Sequence, residues 1–277
     1  MKNQMTIPKL MAKKGKGEKI VVVTAYDYPM AAIADTCGVD ILLVGDSLGM
    51  VVLGYENTMP VSMEDMLHHT CPVVRAAQKA LVVADMPYGS YQTGKEKALE
   101  NAIRLIKEGG ADAVKIEGGQ EIVEVASAMH KMGIPVMAHI GLLPQTASLW
   151  GGYHVQGRDE AAAWALVEAA QALEEAGVFA VVLECIASEV AALITEKIDI
   201  PTIGIGSGPN CDGQVLVSHD LFGLTKGHIP FFVKKYAQLE NEMIKAYDAF
   251  IEDVRTGAFP DAEHSFPMDA EEAKKLY

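Results

Sequence analysis

Positive charge is scarce in this sequence: 23 lysines and arginines stand against 37 aspartates and glutamates, a formal net charge of −14 at pH 7. A surface of that sign repels phosphate backbones and anionic headgroups, so no nucleic acid and no acidic membrane is expected as a partner. Long uncharged apolar runs are missing, as is a charged leader followed by an apolar stretch. The expectation is a cytoplasmic protein without a membrane span. Cysteine is also sparse. Cys37, Cys71, Cys185 and Cys211 lie far apart and form no C-x-x-C pair, which fits reduced thiols rather than a disulfide framework or a zinc site.

What is present is a recurring alternation. Short, β-rich apolar runs fall at residues 21–25, 41–45, 81–85, 113–117, 134–139, 179–184 and 201–206. A weaker eighth at 215–218 is open to a helical reading. Most runs are followed by a longer stretch of helical composition, the alternation that builds a parallel sheet. Their near-continuous apolarity means both faces are buried, as in a sheet wrapped by helices. An open, doubly wound sheet is the alternative, but the G-x-G-x-x-G turn is absent after the first run, where Thr24-Ala25-Tyr26-Asp27 stands. The preferred fold is therefore an α/β TIM (β/α)8 barrel. Residues 1–277 are expected as a single domain, with 231–277 as a C-terminal helix and tail. That helix, over 231–250, would carry the apolar stripe Tyr236, Leu239, Met243 and Ala246. Ser62 and Asp65 have capping-box spacing at a helix start.

A TIM barrel builds its active site at the carboxyl ends of the strands. There the runs end in Asp46 and Ser47, in Asp85, in Lys115 and Glu117, in His139 and in Glu184. Polar residues often end a strand simply because the chain is leaving the core. Four carboxylates around one mouth, however, repel one another unless a cation compensates. Asp46, Asp85 and Glu117 offer oxygen alone, which suits Mg2+, with Mn2+ or Co2+ as substitutes. Strand alternation puts Lys115 and Glu117 on one face, with Ile116 and Cys185 turned away from the mouth. The glycines of 203–208 fit either a phosphate cradle or a tight turn. Residues 150–158 read as a loop over the mouth or as a long connection.

The order of these residues is similar to a known family. The stretches are VTAYDYPMA from Val23, LLVGDSLGMVVLGYENTMPVSMEDMLHHT from Leu42, VVADMPYGSY from Val82 and AVKIEGG from Ala113. HIGLLPQT from His139, GGYHVQGRD from Gly151, LECI from Leu183 and IGIGSGPNCDGQVLVSHDLFG from Ile203 complete the set. Across residues 22–266 the chain resembles ketopantoate hydroxymethyltransferase. The resemblance implies metal ligands at Asp46, Asp85 and Glu117, keto-acid contacts at Asp46, Ser47, Asp85 and Lys115, a proton acceptor at Glu184 and a site histidine at His139. It also implies one Mg2+ per subunit, α-ketoisovalerate and methylenetetrahydrofolate as substrates, and a homodecamer. Leu143, His154 and Ser207 depart from the residues usual in the family and touch neither the proposed ligands nor the base. Three rival readings remain: a related lyase or aldolase without folate, a Schiff-base enzyme using Lys115, and a non-catalytic keto-acid or nucleotide-binding barrel.

Overall fold

Eight parallel strands close on themselves in chain order in this computed structural model, which describes residues 4–150, 154–227 and 229–276. They are β1 (Ile20–Thr24), β2 (Ile41–Val44), β3 (Leu81–Asp85), β4 (Ala113–Glu117), β5 (Val136–Gly141), β6 (Ala180–Glu184), β7 (Thr202–Ile205) and β8 (Gly213–Leu216). Closure is made by β1 pairing with β8, Val22 opposite Val215. That pairing removes both sheet edges and decides for the barrel against the open sheet. The eighth strand starts two residues earlier than 215–218 and is a strand rather than a helix.

Alternation along each strand separates two apolar clusters. Ile20, Val22, Ile41, Leu43, Leu81, Val83, Ala113, Met137, Ala180, Val182 and Ile203 fill the barrel interior with Leu10. Leu42, Val44, Val82, Ala84, Val114, Ile116, Ala138, Val181 and Leu183 belong instead to the outer cluster, with residues of the surrounding helices. The helices are α1 (Ile7–Lys16), α2 (Tyr28–Cys37), α3 (Leu48–Val51), α4 (Met63–Ala76), α5 (Lys95–Lys107), α6 (Val123–Lys131), α7 (Glu160–Glu175), α8 (Ser188–Lys197), α9 (Ser218–Phe222), α10 (Leu239–Thr256) and α11 (Ala270–Ala273).

Local chemistry sets their ends. The Ser62 hydroxyl accepts from the Asp65 amide and the Asp65 carboxylate accepts from the Ser62 amide, so α4 opens on the expected capping box. α1 starts at Thr6, whose side chain accepts from Lys9 N–H, and stops at Gly17 with φ 69°, a left-handed conformation that glycine adopts without a Cβ clash. Its Leu10 is fully buried in the interior cluster.

By Cα proximity the chain divides into a barrel unit, running to Ser218 and including Lys226–Val233, and a second unit of His219–Thr225 with the chain from Lys234. The helix expected over 231–250 begins only at Leu239. Within the second unit, Tyr236 and Ala237 donate their amides to the Leu221 carbonyl rather than to carbonyls one turn back. None of α10 is buried, although Met243, Ile244, Tyr247, Phe250, Ile251 and Val254 lie along it.

Candidate active site

Parity carries the interior face up to the mouth. Ala113 faces inward on β4 while Val114 and Ile116 face out, so Lys115 and Glu117 must point in. The same count from Val83, Met137 and Val182 turns Asp85, His139 and Glu184 inward. Ile116 packs in the outer cluster, as the alternation predicts.

Register then brings them together. Asp85 lies opposite Lys115 and Glu117 opposite His139 on neighbouring strands. Lys115 Nζ stands 3.1 Å from Asp85 Oδ1 and 3.5 Å from Glu117 Oε1. His139 Nδ1 is 3.5 Å from Glu117 Oε1, and its Nε2 is 3.3 Å from Glu184 Oε2. Asp46 joins from the β2 end, its amide donating to Asp85 Oδ2 at 3.1 Å. A Cβ at the preceding Gly45 would sit 2.7 Å from Ser47 Oγ, so a larger residue there would displace the Ser47 hydroxyl. Ser47 Oγ hydrogen-bonds the Tyr26 hydroxyl at 2.8 Å. All seven residues singled out in the sequence thus gather at the carboxyl ends of β2 to β6.

Charge in this cluster is concentrated and dry. Asp46, Asp85, Lys115, Glu117 and His139 are all buried. Burial, reinforced by Glu117 and Asp85, pushes the Asp46 carboxyl well above the usual range. Burial would also raise Glu117, but Lys115 and His139 outweigh it and hold that carboxyl down at about 2. Burial opposes protonation of Lys115, yet Asp85, Glu117 and Asp46 together lift its ammonium above the ordinary lysine value. His139 is likewise lifted to about 9, against burial, by Glu117 and Glu184. Among the described residues no three His, Cys, Asp or Glu side chains form a ready-made metal cage. Asp85 Oδ1 is nevertheless buried without a well-formed hydrogen bond.

Two buried residues escaped the sequence reading because they lie in loops rather than at strand ends. Tyr91 accepts the Glu117 amide at 3.0 Å, and Gln145, in the 3-10 segment Pro144–Trp150, donates its amide to Glu117 Oε2 at 3.2 Å. Both sit inside segments that carry the family resemblance, MPYGSY and HIGLLPQT, the one signal in the sequence that points to them.

The glycine run after β7 forms a tight turn, with φ 65° at Gly206 and 81° at Gly208. Between them the buried Ser207 hydroxyl donates to the Leu183 carbonyl at 2.7 Å and accepts the Ile186 amide at 3.0 Å. It therefore braces the turn that follows Glu184, where Cys185 takes a left-handed φ of 49°. Of the proposed loop over the mouth, residues 151–153 lie outside the described part. Gln156 pairs with Ile186 beyond them. The four cysteines are free thiols, and no described helix is long and apolar enough to cross a membrane.

A closed parallel barrel with a charged cluster at the carboxyl ends of its strands defines a TIM-barrel enzyme. The sequence profile of ketopantoate hydroxymethyltransferase matches residues 4–262. A protein of Moorella thermoacetica named 3-methyl-2-oxobutanoate hydroxymethyltransferase is 56% identical over 96% of this chain and 98% of its own. One of that name from Thermoanaerobacter sp. (strain X514) is 53% identical over 99% of this chain and 100% of its own. The chain belongs to the ketopantoate hydroxymethyltransferase family, and it is a transferase. Its fold is shared by a phosphonopyruvate hydrolase solved with oxalate and Mg2+, at TM-score 0.62 and 13% identity over 99% of this chain and 95% of that one. It is shared too by 2,3-dimethylmalate lyase of the PEP mutase/isocitrate lyase superfamily, at TM-score 0.57 and 15% identity, covering 98% of this chain and 97% of that one.

Proposed function

We propose that this enzyme transfers a hydroxymethyl group from methylenetetrahydrofolate to 3-methyl-2-oxobutanoate (α-ketoisovalerate), giving 2-dehydropantoate (ketopantoate) and tetrahydrofolate, the first step of pantothenate biosynthesis. One observation carries this: a buried ammonium, Lys115, set among inward carboxylates beside the His139–Glu184 pair. It stands in a chain more than half identical to proteins named 3-methyl-2-oxobutanoate hydroxymethyltransferase.

Lys115 and the Ser47 hydroxyl bind the keto acid's carboxylate, and Asp46 and Asp85 border the same space. Glu184 takes the proton from C3, a general-base role that calls for hydrogen-bond reach of that proton. His139, 3.3 Å from Glu184 Oε2, orients that carboxylate. Both bonds from the folate methylene carbon to nitrogen break as that carbon bonds to C3 and to the oxygen of a water molecule. The two nitrogens regain protons, one being the proton that Glu184 took from C3 and the other coming from that water.

The donor set of Asp46, Asp85 and Glu117 fits Mg2+. It is all oxygen, it includes Asp85 Oδ1, which has the Lys115 ammonium beside it but no well-formed hydrogen bond, and Mg2+ is commonly held by one or two carboxylates with water and substrate oxygens rather than by a complete protein cage. One Mg2+ per subunit would supply Lewis-acid stabilisation of negative charge developing on the keto oxygen. Free thiols suit the reducing cytoplasm in which we place the reaction. The unburied apolar residues of α10 support a homo-oligomer, for which we propose a decamer.

Assaying 2-dehydropantoate with keto acid, folate and metal omitted in turn tests the reading. Each omission should abolish product. Keto acid consumed without folate, with no 2-dehydropantoate formed, would favour the lyase or aldolase reading instead.

A further inference from the structure

Gln145 is 2% exposed and belongs to no strand. Its carboxamide donates from Nε2 to Asp46 Oδ2 at 2.8 Å and to the Met86 carbonyl at 2.9 Å. Its Oε1 accepts from the Tyr91 hydroxyl at 2.7 Å and from Gln92 Nε2 at 3.3 Å. An amide has two N–H donors and two acceptor lone pairs, and all four are used. Turning the group over would aim its oxygen at Asp46 Oδ2 and the Met86 carbonyl, so its orientation is set by its partners. Through its backbone amide the same residue holds Glu117 Oε2.

One residue on the loop after β5 thus grips a carboxylate at the end of β2 and another at the end of β4. Without it these two acidic side chains, buried in one cluster, would relax apart. We propose that Gln145 is a positioning residue: its carboxamide, held by Tyr91, fixes Asp46 relative to Glu117 so that the pair can share a divalent cation. The inference rests on the reading of Asp46, Asp85 and Glu117 as metal ligands. Residues that orient ligands in this way are typically worth about 10–100-fold in metal affinity.

The test is Mn2+ binding to the full chain, followed by electron paramagnetic resonance, with thermal melting as the check on folding. Wild type, Asp85→Ala, Gln145→Met, Gln145→Glu and Tyr91→Phe are compared. Gln145→Met, close in shape but unable to donate, should bind Mn2+ about 10–100-fold more weakly. Tyr91→Phe is the smaller change, kept in case the Gln145→Met variant melts early, and should weaken binding in the same direction. Gln145→Glu separates positioning from mere charge. If only local charge mattered, the added carboxylate would tighten cation binding; a positioning role requires weaker binding, because the new oxygen cannot donate to Asp46 and repels it. Wild-type affinity in Gln145→Met and Tyr91→Phe, with Asp85→Ala impaired, would overturn this proposal and leave the metal reading standing. Wild-type affinity in Asp85→Ala, or no binding by wild type, would overturn the metal reading and this proposal with it.

Discussion

Asp85 and Lys115 are register partners on adjacent parallel strands, and their side chains meet at 3.1 Å with both almost entirely shielded from water. The lysine is thereby kept as an ammonium: Asp85, Glu117 and Asp46 all favour the charged form and together outweigh burial. A protonated amine is not a nucleophile.

No imine should therefore form on Lys115. After borohydride treatment with 3-methyl-2-oxobutanoate, intact-mass spectrometry should show the unmodified chain. A reduced adduct mapped to Lys115 would replace the proposed mechanism with Schiff-base chemistry.

Glu184→Gln keeps shape and much of the hydrogen bonding but removes the basic oxygen. Exchange of the keto acid C3 proton for deuterium, followed by NMR without folate, should fall by about a hundredfold or more, the usual cost of losing a general base. Keto-acid affinity should hold. An unchanged exchange rate would pass the base role to His139 or another group.

Cys185 follows Glu184, and burial with that carboxylate's charge pushes its thiol up to about 12. A raised value keeps the neutral thiol through the physiological range, and alkylation needs the thiolate. Iodoacetamide labelling of Cys185, read by peptide mass spectrometry, should still be climbing at about pH 10, well above the ordinary cysteine value. A plateau near the ordinary value would contradict this. The exposed Cys37 should label first.

Leu10 fills the barrel interior with no exposed surface. Leu10→Ala should lower unfolding free energy by about 2–5 kcal/mol, the range for a leucine truncated in a packed core. Urea denaturation measures it, and a loss well below that range would mean that the interior closes over the gap.

The sequence alone determined seven of the strands and the side of each strand that carries chemistry, while the eighth was open to a helical reading. Alternation is a local property: once Ala113 is inside, Lys115 and Glu117 follow, and the same count places Asp85, His139 and Glu184. Helix starts written in short-range hydrogen bonds, such as the Ser62–Asp65 box, were equally legible. Tertiary structure decided what depends on distant partners. Closure rests on β1 meeting β8 from the far end of the barrel sequence; the missing G-x-G-x-x-G turn favoured the barrel, but only that long-range pairing fixed it. α10 begins at Leu239 because the amides of Tyr236 and Ala237 go to Leu221, a competition that periodicity cannot register. Gln145 and Tyr91 gained their places for the same reason. A loop residue has no alternation to aim it, so only the folded approach of the strand ends made one carboxamide the shared partner of Asp46, Met86 and Tyr91.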